Sequence, residues 1–396
     1  MFMDKEILIV IRDISQKSAG LATSIFLRYK SLNLISNYQT KILTSLNTLN
    51  NNDFARIKNE IPYESLTFYK EFASRLPSIK SLKKIYNSIK SSTIVYIFSF
   101  FQPISYISFI FALILGKEIW FRPHGSLIKA YTVKFSIIKK IYTYFELCLY
   151  AFSKYIVLSS KLEEKDFLDY VKKHFFYKKF KNKVVITNDS FDINKTTSLK
   201  KNYKVITNYS DKKIDFLFFS RLVEIKGINL FLDALVYLCN DAEFHENLSI
   251  KIAGIPSIKF LKRYEKIKEI FSRSNFLDIS YEGMVSQERK WELLNDSKNY
   301  ILPTYGDSFG ISAIEALFAN NKVAASKYLG CSTLIDDLNE FNYIDLSVIG
   351  IVRYIKSFCT NNSKRKIPDH DKVLEVLSKK LSINKQSKDY EKLLIK

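Results

Sequence analysis

Short apolar runs alternate with longer amphipathic segments along the whole chain. The first run, Ile7-Leu-Ile-Val-Ile11, is followed by a charged turn and is typical of a buried strand. Runs of this type predict strands over Glu6–Ile11, Gln39–Thr44, Thr93–Phe98, Glu118–Phe121, Tyr155–Leu158, Val184–Ile186, Ile214–Phe219, Leu248–Ile252, Ile279–Tyr281, Asn299–Leu302 and Val323–Ala325. Because helical segments separate these strands, the pattern predicts parallel sheets covered by helices on both faces.

The strand-and-helix pattern occurs twice, so it predicts two doubly wound α/β domains. The polar stretch Asp189–Lys213, rich in Asn, Thr, Ser and Lys, separates the two halves. We predict a Rossmann-like domain over residues 1–190, a linker over 191–213 and a second Rossmann-like domain over 214–383. A charged helix over residues 384–396 could return to the first domain.

One uncharged stretch, Thr93–Leu115, is long enough to span a bilayer. Its first part, Thr93–Ser99, is β-branched and aromatic, as in a buried strand, and Gln102-Pro103 interrupts the run. We therefore predict a strand, a turn and a core helix that ends at Gly116, and no transmembrane helix.

The composition is that of an ordinary globular protein, with 47% hydrophobic and 26% charged residues among 396. The formal charge of +21 favours an anionic partner, such as nucleic acid, a membrane surface or a phosphate-bearing substrate. A lysine-rich bias from an AT-rich genome explains the charge equally well. The four cysteines are far apart, which argues against a disulfide framework or zinc site and fits the cytoplasm.

Two cations follow the first strand of the second half. Arg221 and Lys226 lie between the strand ending near Ser220 and the helix beginning after Gly227. Open α/β sheets bind ligands at the carboxyl ends of their strands, and two cations beside a helix N-terminus suit a diphosphate. A solvated basic loop is the alternative.

A later strand-loop-helix unit contains two acidic residues. Asp307 precedes the helix, Glu315 lies within it, and Phe309-Gly310 between them lets backbone amides approach a ligand. Asp307 would meet sugar hydroxyls and Glu315 a ribose diol. Alternatively, Asp307 is only a helix N-cap and Glu315 only a surface residue.

Three motifs in this order resemble glycosyltransferase family 4: Arg221 to Gly227, Tyr281-Glu-Gly-Met-Val285 and Pro303–Ala316. The resemblance is strong over Ile214–Ile335 and weaker in the first half. It implies the GT-B fold, in which two Rossmann-like domains face a central cleft. It also implies a retaining enzyme with a nucleotide-diphosphate sugar donor.

The resemblance also implies roles for individual residues. Arg221 and Lys226 would hold the donor diphosphate, Glu315 the ribose and Asp307 the donor sugar, with Asp in place of the family's Glu. Backbone amides at three positions would face the donor: Phe309, Gly310 and Ile311. Gly254 matches a family glycine near the donor, and Asn320-Asn321 stands where a glycine is usual, which asparagine tolerates at positive φ.

In the first half, Arg122-Pro-His-Gly125 follows the strand Glu118–Phe121. His124 resembles the family's histidine that points at the donor sugar, although a packing role is the alternative. Gly20, in Ser18-Ala-Gly-Leu-Ala22, matches the family's glycine-rich first loop near the diphosphate and acceptor.

No cofactor or metal is expected, since Arg221 and Lys226 would neutralise the diphosphate. The single DxD string, Asp369-His-Asp371, lies in a polar stretch and is interpreted as surface. The resemblance implies retention by front-face attack, and the sequence offers no evident nucleophilic carboxylate for a double displacement.

The expected acceptor is a glycan, linked to polyprenyl diphosphate, in bacterial surface polysaccharide synthesis. Between Lys129 and Lys183 cations alternate with aromatic residues, a pattern that suits an anionic membrane interface. We therefore expect a cytoplasmic protein, peripheral on the inner face of the membrane. Ordinary helices with Phe and Tyr inside and Lys in water give the same pattern.

Three other functions stay open at this level. A sugar-nucleotide epimerase can share the two-domain architecture. A basic nucleic-acid-binding protein would explain the charge, although no RNA-stacking motif is visible and we expect no nucleic-acid partner. A transferase-like partner without activity would explain Asp307 in place of Glu.

Overall fold

The computed structural model describes residues 5–72, 75–173, 177–193, 206, 209–360 and 369–395. The chain divides into two compact units: residues 1–192 with 381–396, and residues 193–380. Most of the predicted linker, residues 194–205, 207 and 208, lies outside the described part of the chain.

The first unit is built on a parallel sheet with the strand order β3-β2-β1-β4-β5-β6-β7. Strand β1 lies between β2 and β4, with Leu8 opposite Lys41 and Val95. Ile7 and Ile9 face one core and Leu8 and Val10 the other, as expected for a strand covered on both sides. The strands are β1 (Lys5–Val10), β2 (Tyr38–Ser45), β3 (Leu66–Tyr69), β4 (Ile94–Phe98), β5 (Glu118–Arg122), β6 (Tyr155–Leu158) and β7 (Val184–Ile186).

Helices cover both faces of this sheet. The stretch Thr93–Leu115 forms β4 and a helix, as predicted, because Pro103 opens the helix at its first turn. The helices are α1 (Ala19–Asn33), α2 (Asn51–Lys58), α3 (Ile79–Ser91), α4 (Pro103–Ile114), α5 (Lys129–Thr132), α6 (Ile137–Tyr150), α7 (Lys161–Val171) and α8 (Tyr177–Lys181).

The second unit contains another parallel sheet, in the order β10-β9-β8-β11-β12-β13. Its central strands β8 and β11 are parallel neighbours although β9 and β10 separate them in sequence. Strands β9 and β10 extend the sheet on one side of β8, and β11, β12 and β13 extend it on the other, so the strand order reverses between β8 and β11. The strands are β8 (Ile214–Phe219), β9 (Leu248–Ala253), β10 (Leu277–Tyr281), β11 (Ser297–Leu302), β12 (Lys322–Ala325) and β13 (Phe341–Tyr343).

The helices of the second unit again follow the strands. They are α9 (Ile228–Cys239), α10 (Ile258–Ser272), α11 (Gln287–Asp296), α12 (Ile311–Phe318), α13 (Ser332–Ile335), α14 (Val348–Thr360) and α15 (His370–Leu381). The last helix of the chain, α16 (Ile383–Ile395), belongs to the first unit and packs on α1.

The two doubly wound sheets confirm the predicted α/β architecture, and each predicted strand is present within two residues. Two edge strands, β3 and β13, escaped prediction because they have only 4 and 3 residues and little alternation. Within the described residues no helix combines the length and the apolar character needed to cross a bilayer.

Candidate donor site

The loop after β8 carries both predicted cations. Arg221 is exposed, and the next residue is fixed by a hydrogen bond from the Leu222 amide to the Ile255 carbonyl, 2.8 Å. Lys226 ends a short 3₁₀ turn, Glu224–Lys226, and is buried. The loop therefore presents one exposed and one buried cation at the carboxyl end of a central strand.

Gly227 connects this turn to helix α9 and has no room for a side chain. Its φ is +76°, and a Cβ atom there would lie 1.8 Å from the Pro303 carbonyl oxygen. This glycine lets the loop after β8 pack directly on the loop after β11.

Hydrogen bonds join the same two loops. The Tyr305 amide donates to the Ile225 carbonyl at 2.8 Å, and the Thr304 hydroxyl donates to it at 3.0 Å. Ligands of open α/β sheets bind where the strand order reverses, and β8 and β11 meet at that point here.

Asp307 ties these loops together through its side chain. One carboxylate oxygen accepts a hydrogen bond from the Lys226 amine, and the other accepts one from the Phe309 amide at 3.3 Å. The Asp307 amide and carbonyl are fixed by Tyr328 and Gly330 at 3.0 Å each. Asp307 is thus not the N-cap of helix α12, a position that Gly310 occupies, and that alternative is wrong.

The amino end of helix α12 lies directly behind this carboxylate. Gly310 has φ of +96°, and a Cβ atom there would lie 2.2 Å from Leu329 Cδ1. Phe309 is buried and Ile311 half-buried. The arrangement places the helix N-terminus, which is the positive end of the helix dipole, beside Lys226 and Asp307.

Glu315 is buried and paired, so the alternative of a surface residue is also wrong. Its Oε1 accepts a hydrogen bond from Lys290 Nζ at 2.6 Å. Sequence reasoning missed Lys290. The available signal was its place on helix α11, three and four positions before the buried Leu293 and Leu294, where a lysine on an apolar face needs a partner.

Tyr300 connects the two parts of the site. Its hydroxyl donates to the Phe219 carbonyl at 2.8 Å and is 2.7 Å from the Ser312 hydroxyl. Burial raises the pKa of Tyr300 far above its usual value, and the nearby Asp307 and Glu315 carboxylates add to the rise. The residue therefore stays a neutral bridge between the end of β8 and helix α12.

Gly254 follows β9 and is also required by close packing. Its φ is +134°, and a Cβ atom would lie 1.8 Å from the Ser220 carbonyl oxygen. Asn320, which stands where the family has a glycine, has φ of +60°, so the prediction of a surviving left-handed turn is confirmed.

His124 lies in the first unit, directly after β5. Both His124 and Gly125 have left-handed backbone, with φ of +50° and +73°. The Gly125 amide donates to Glu163 Oε1 at 2.5 Å, and Glu163 Oε2 accepts from the Ser159 amide and hydroxyl at 2.7 and 2.6 Å. A buried glutamate therefore holds the turn that carries the histidine.

A buried ion cluster fixes the residue before that turn. Arg122 Nη2 lies 3.2 Å from Asp189 Oδ1, and Arg28 Nη2 lies 2.7 Å from the same oxygen. Burial alone would raise the pKa of Asp189, but the charges of Arg122 and Arg28 outweigh it and hold the pKa far below its usual value.

Gly20 differs from the expectation of a glycine loop. It lies in the first turn of helix α1, is exposed, and no atom would meet a Cβ within 4 Å. The run Ser18-Ala-Gly-Leu-Ala22 starts a helix because its single glycine opposes helical backbone by only about 1 kcal/mol.

The string Asp369-His-Asp371 starts a helix. Asp369 caps helix α15, accepting from the Lys372 amide at 3.1 Å. Within the described ranges, no group of three or more His, Cys, Asp or Glu side chains is arranged to hold a metal ion.

The second unit thus brings together Lys226, Asp307, Phe309, Gly310 and Ile311, with Arg221 on the same loop. Glu315 lies on the same helix as Ile311 but forms a separate pair with Lys290. His124 and Gly20 belong to the first unit, where His124 follows a strand end and Gly20 starts a helix.

Residues 200–370 match the family described as glycosyl transferases group 1. The D-inositol 3-phosphate glycosyltransferase of Streptomyces avermitilis is 28% identical over 123 residues, which are 31% of this chain and 26% of that protein. Its counterpart in Streptomyces scabiei is 26% identical over 123 residues, 31% of this chain and 28% of that protein. The matched segment thus spans about a quarter of the curated relatives' length.

Solved structures are similar over the whole chain. HepE of Anabaena, in complex with UDP and glucose, has a TM-score of 0.71 at 13% identity over 99% of both chains. TarM, known from S. aureus, has a TM-score of 0.72 at 12% identity over 100% of this chain and 99% of that one. The chain therefore has the GT-B fold, and its residues 200–370 match the group 1 family of glycosyl transferases.

Proposed function

We propose that this chain is a retaining glycosyltransferase of the family 4 type. It moves a sugar from a nucleotide-diphosphate sugar to a hydroxyl of a glycan linked to polyprenyl diphosphate, in the synthesis of a bacterial surface polysaccharide. The reaction takes place at the anionic inner face of the membrane. The observation that carries the donor assignment is the Lys226–Asp307 pair beside the N-terminus of helix α12, at the reversal point of the sheet.

The reaction needs positive charge at the leaving group. As the bond between the anomeric carbon and the diphosphate oxygen breaks, the sugar gains oxocarbenium character and the diphosphate gains negative charge. Arg221, Lys226 and the amino end of helix α12 stabilise that negative charge. The acceptor oxygen bonds to the same face of the anomeric carbon, and the leaving phosphate takes the acceptor's proton.

The remaining residues hold the donor. Lys290 fixes the Glu315 carboxylate, which accepts hydrogen bonds from the ribose hydroxyls. Asp307 positions the Lys226 amine and receives a hydroxyl of the donor sugar. For His124, which follows β5 in the first unit, we propose a role at the donor sugar. Charge neutralisation by two cations makes a metal ion unnecessary in this scheme.

Solved proteins of the same fold suggest the first donors to test. HepE has been solved with UDP and with UDP-glucose, and TarM with UDP and alpha-GlcNAc-glycerol. These complexes support a uridine nucleotide, which is the starting point for a screen.

A thermal-shift screen of nucleotide sugars tests the donor site. A donor at about 100 times its Kd stabilises the wild type by about 2.7 kcal/mol. We expect Lys226→Ala to weaken donor binding about tenfold to a hundredfold, because a hydrogen bond to a charged group contributes about 1.5–3 kcal/mol. Lys266→Ala, at an exposed lysine of helix α10, is the matched control.

The screen also separates the alternatives. Equal stabilisation of wild type and Lys226→Ala, or no response to any nucleotide sugar, contradicts the proposal. Release or epimerisation of the sugar at full rate without acceptor identifies an epimerase or hydrolase instead. Salt-sensitive binding to nucleic acid in place of nucleotide sugars identifies a nucleic-acid-binding protein.

A further inference from the structure

Helix α6 (Ile137–Tyr150) buries two polar side chains beside Leu147 and Tyr150, and it exposes several large apolar side chains. Thr143 and Glu146 are fully buried. On the outward side, Ile137, Ile138 and Ile141 are 76%, 69% and 63% exposed. An ordinary surface helix turns mainly polar side chains outward, so the outward face of α6 is unusual for a side that faces water.

The exposed residues form one continuous surface. Ile137, Ile141 and Phe145 are four positions apart, as are Ile138 and Tyr142, so they stack along one side of the helix. Phe145 is 57% exposed and Tyr142 55%. We call this set the α6 apolar face. Contiguous apolar patches on soluble proteins mark contacts with a partner or a membrane.

Buried hydrogen bonds hold the helix in this orientation. The Phe101 amide donates to Glu146 Oε1 at 2.6 Å, and the Tyr106 hydroxyl donates to the same oxygen. Rotating α6 to hide its apolar face would break both bonds and leave buried polar groups unpaired, which is costly.

The segment of chain that carries this face has charge of one sign. Between Ile119 and Ser160 the sequence contains one acidic residue, Glu146, and the fold buries it. Lys129, Lys134 and Lys140 are exposed in the same segment. A second copy of the chain would bring these lysines against each other, whereas anionic lipid headgroups would attract them.

We propose that the α6 apolar face docks on an anionic phospholipid bilayer, with the helix lying in the interface and Lys129 and Lys140 on the headgroups. The proposal deepens the membrane partner named in the proposed function, but its support is the exposed apolar side of α6 and not the donor site. Docking would hold the first unit at the surface where a lipid-linked acceptor lies.

Vesicle flotation tests this directly. The wild type is mixed with vesicles of phosphatidylcholine alone or of phosphatidylcholine with phosphatidylglycerol, and we expect binding to the second kind. Ile138→Ser/Ile141→Ser removes apolar contact and is expected to weaken binding at least about tenfold. Lys129→Gln/Lys140→Gln should weaken it about fivefold per lysine, the equivalent of about 1 kcal/mol each.

Matched controls lie elsewhere on the first unit. Ile79→Ser changes an isoleucine that is 87% exposed on helix α3, and Lys83→Gln changes an exposed lysine of that helix. Both should bind vesicles like the wild type. In Phe145→Trp, tryptophan fluorescence should be quenched by brominated lipid if the face enters the interface.

Several results overturn the proposal. These are no binding to anionic vesicles, equal loss in the α6 and α3 variants, or no quenching of Phe145→Trp. A dimer in sedimentation analysis that Ile138→Ser/Ile141→Ser abolishes, together with absent vesicle binding, assigns the face to a second copy. Vesicle binding needs no donor, so failure of the donor screen leaves this result interpretable.

Discussion

At the residue scale, two buried cations meet carboxylates that the sequence assigned to sugar binding. Asp307 is one methylene shorter than the family's glutamate, yet its carboxylate reaches the Lys226 amine. Lys290 does the same for Glu315 at 2.6 Å. Each pair fixes a long side chain before any ligand arrives, which is the preorganisation that electrostatic catalysis requires.

Glu146 leads to a prediction about pH. Burial raises the pKa of Glu146 to about 7 from 4.5, although hydrogen bonds from Tyr106 and Phe101 oppose the rise. Below pH 4.5 both folded and unfolded chains hold the proton; between 4.5 and 7 only the folded chain keeps it. The stability of the first unit should therefore fall over this interval, by on the order of 3 kcal/mol, as pH rises.

Urea unfolding at several pH values measures this effect. The chain has two tryptophans, so in a Trp291→Phe background Trp120 alone reports on the first unit. Glu146→Gln should remove the slope between pH 4.5 and 7, and Glu246→Gln, at an exposed glutamate, should keep it. If stability still falls with pH in Glu146→Gln, another titrating group causes the fall.

At the element scale, the donor site depends on the close packing of its loops at three glycines. Gly227, Gly254 and Gly310 all have positive φ, and a Cβ at each would overlap atoms of a neighbouring loop at 1.8–2.2 Å. The strands β8 and β11 set the distance between these loops. Gly227 in particular lets the loop of Lys226 pack on the loop of Asp307.

Gly227→Ala tests this dependence. The new Cβ would meet the Pro303 carbonyl oxygen at 1.8 Å, whereas Gly283 has a similar φ of +75° and open space around it. Backbone strain alone costs about 1–2 kcal/mol in Gly283→Ala. Gly227→Ala adds the overlap, so it should destabilise more and also weaken donor binding.

Hydrogen exchange of peptides from the two loops, together with the donor screen, distinguishes the two glycine variants. Faster exchange around residues 221–227 and 303–310 is expected in Gly227→Ala only. Equal effects of both substitutions would show that position 227 requires glycine for its left-handed backbone alone, and not for the contact with Pro303.

At the scale of the whole molecule, the last helix completes the first unit. Tyr390 of α16 is fully buried, stacks on Trp120 at 5.9 Å and hydrogen-bonds through its hydroxyl to Arg28. Arg28 in turn binds Asp189, which holds Arg122 beside the His124 turn. The final residues of the chain thus support the strand end that carries His124.

Tyr390→Phe tests that support. Losing a hydrogen bond to a buried charged group should cost the first unit about 1.5–3 kcal/mol. Tyr237→Phe, at a tyrosine 45% exposed on helix α9, should be neutral. Urea unfolding followed through Trp120 gives the comparison. An unchanged unfolding midpoint in Tyr390→Phe would show that the hydroxyl does not stabilise the first unit.

Much of the fold could be predicted because buried parallel strands are apolar on both faces. The apolar residues 7–10 and 216–219 are recognisable without any partner. The edge strands Leu66–Tyr69 and Phe341–Tyr343 were missed since a short strand with one neighbour has little pattern of its own. The left-handed turn at Asn320 could be predicted because the family has a glycine there and asparagine tolerates positive φ.

The sequence by itself determined the alternation of strands and helices, the chemical identity of the site residues and their places at strand ends, because these depend on local patterns. Only the tertiary structure decided the partners: Lys226 with Asp307, Lys290 with Glu315, and the outward turn of the apolar side of α6. Such pairings depend on distances between segments far apart in the chain. Burial and the geometry of neighbouring loops fix those distances, and both depend on the packing of several segments and not on the sequence of one.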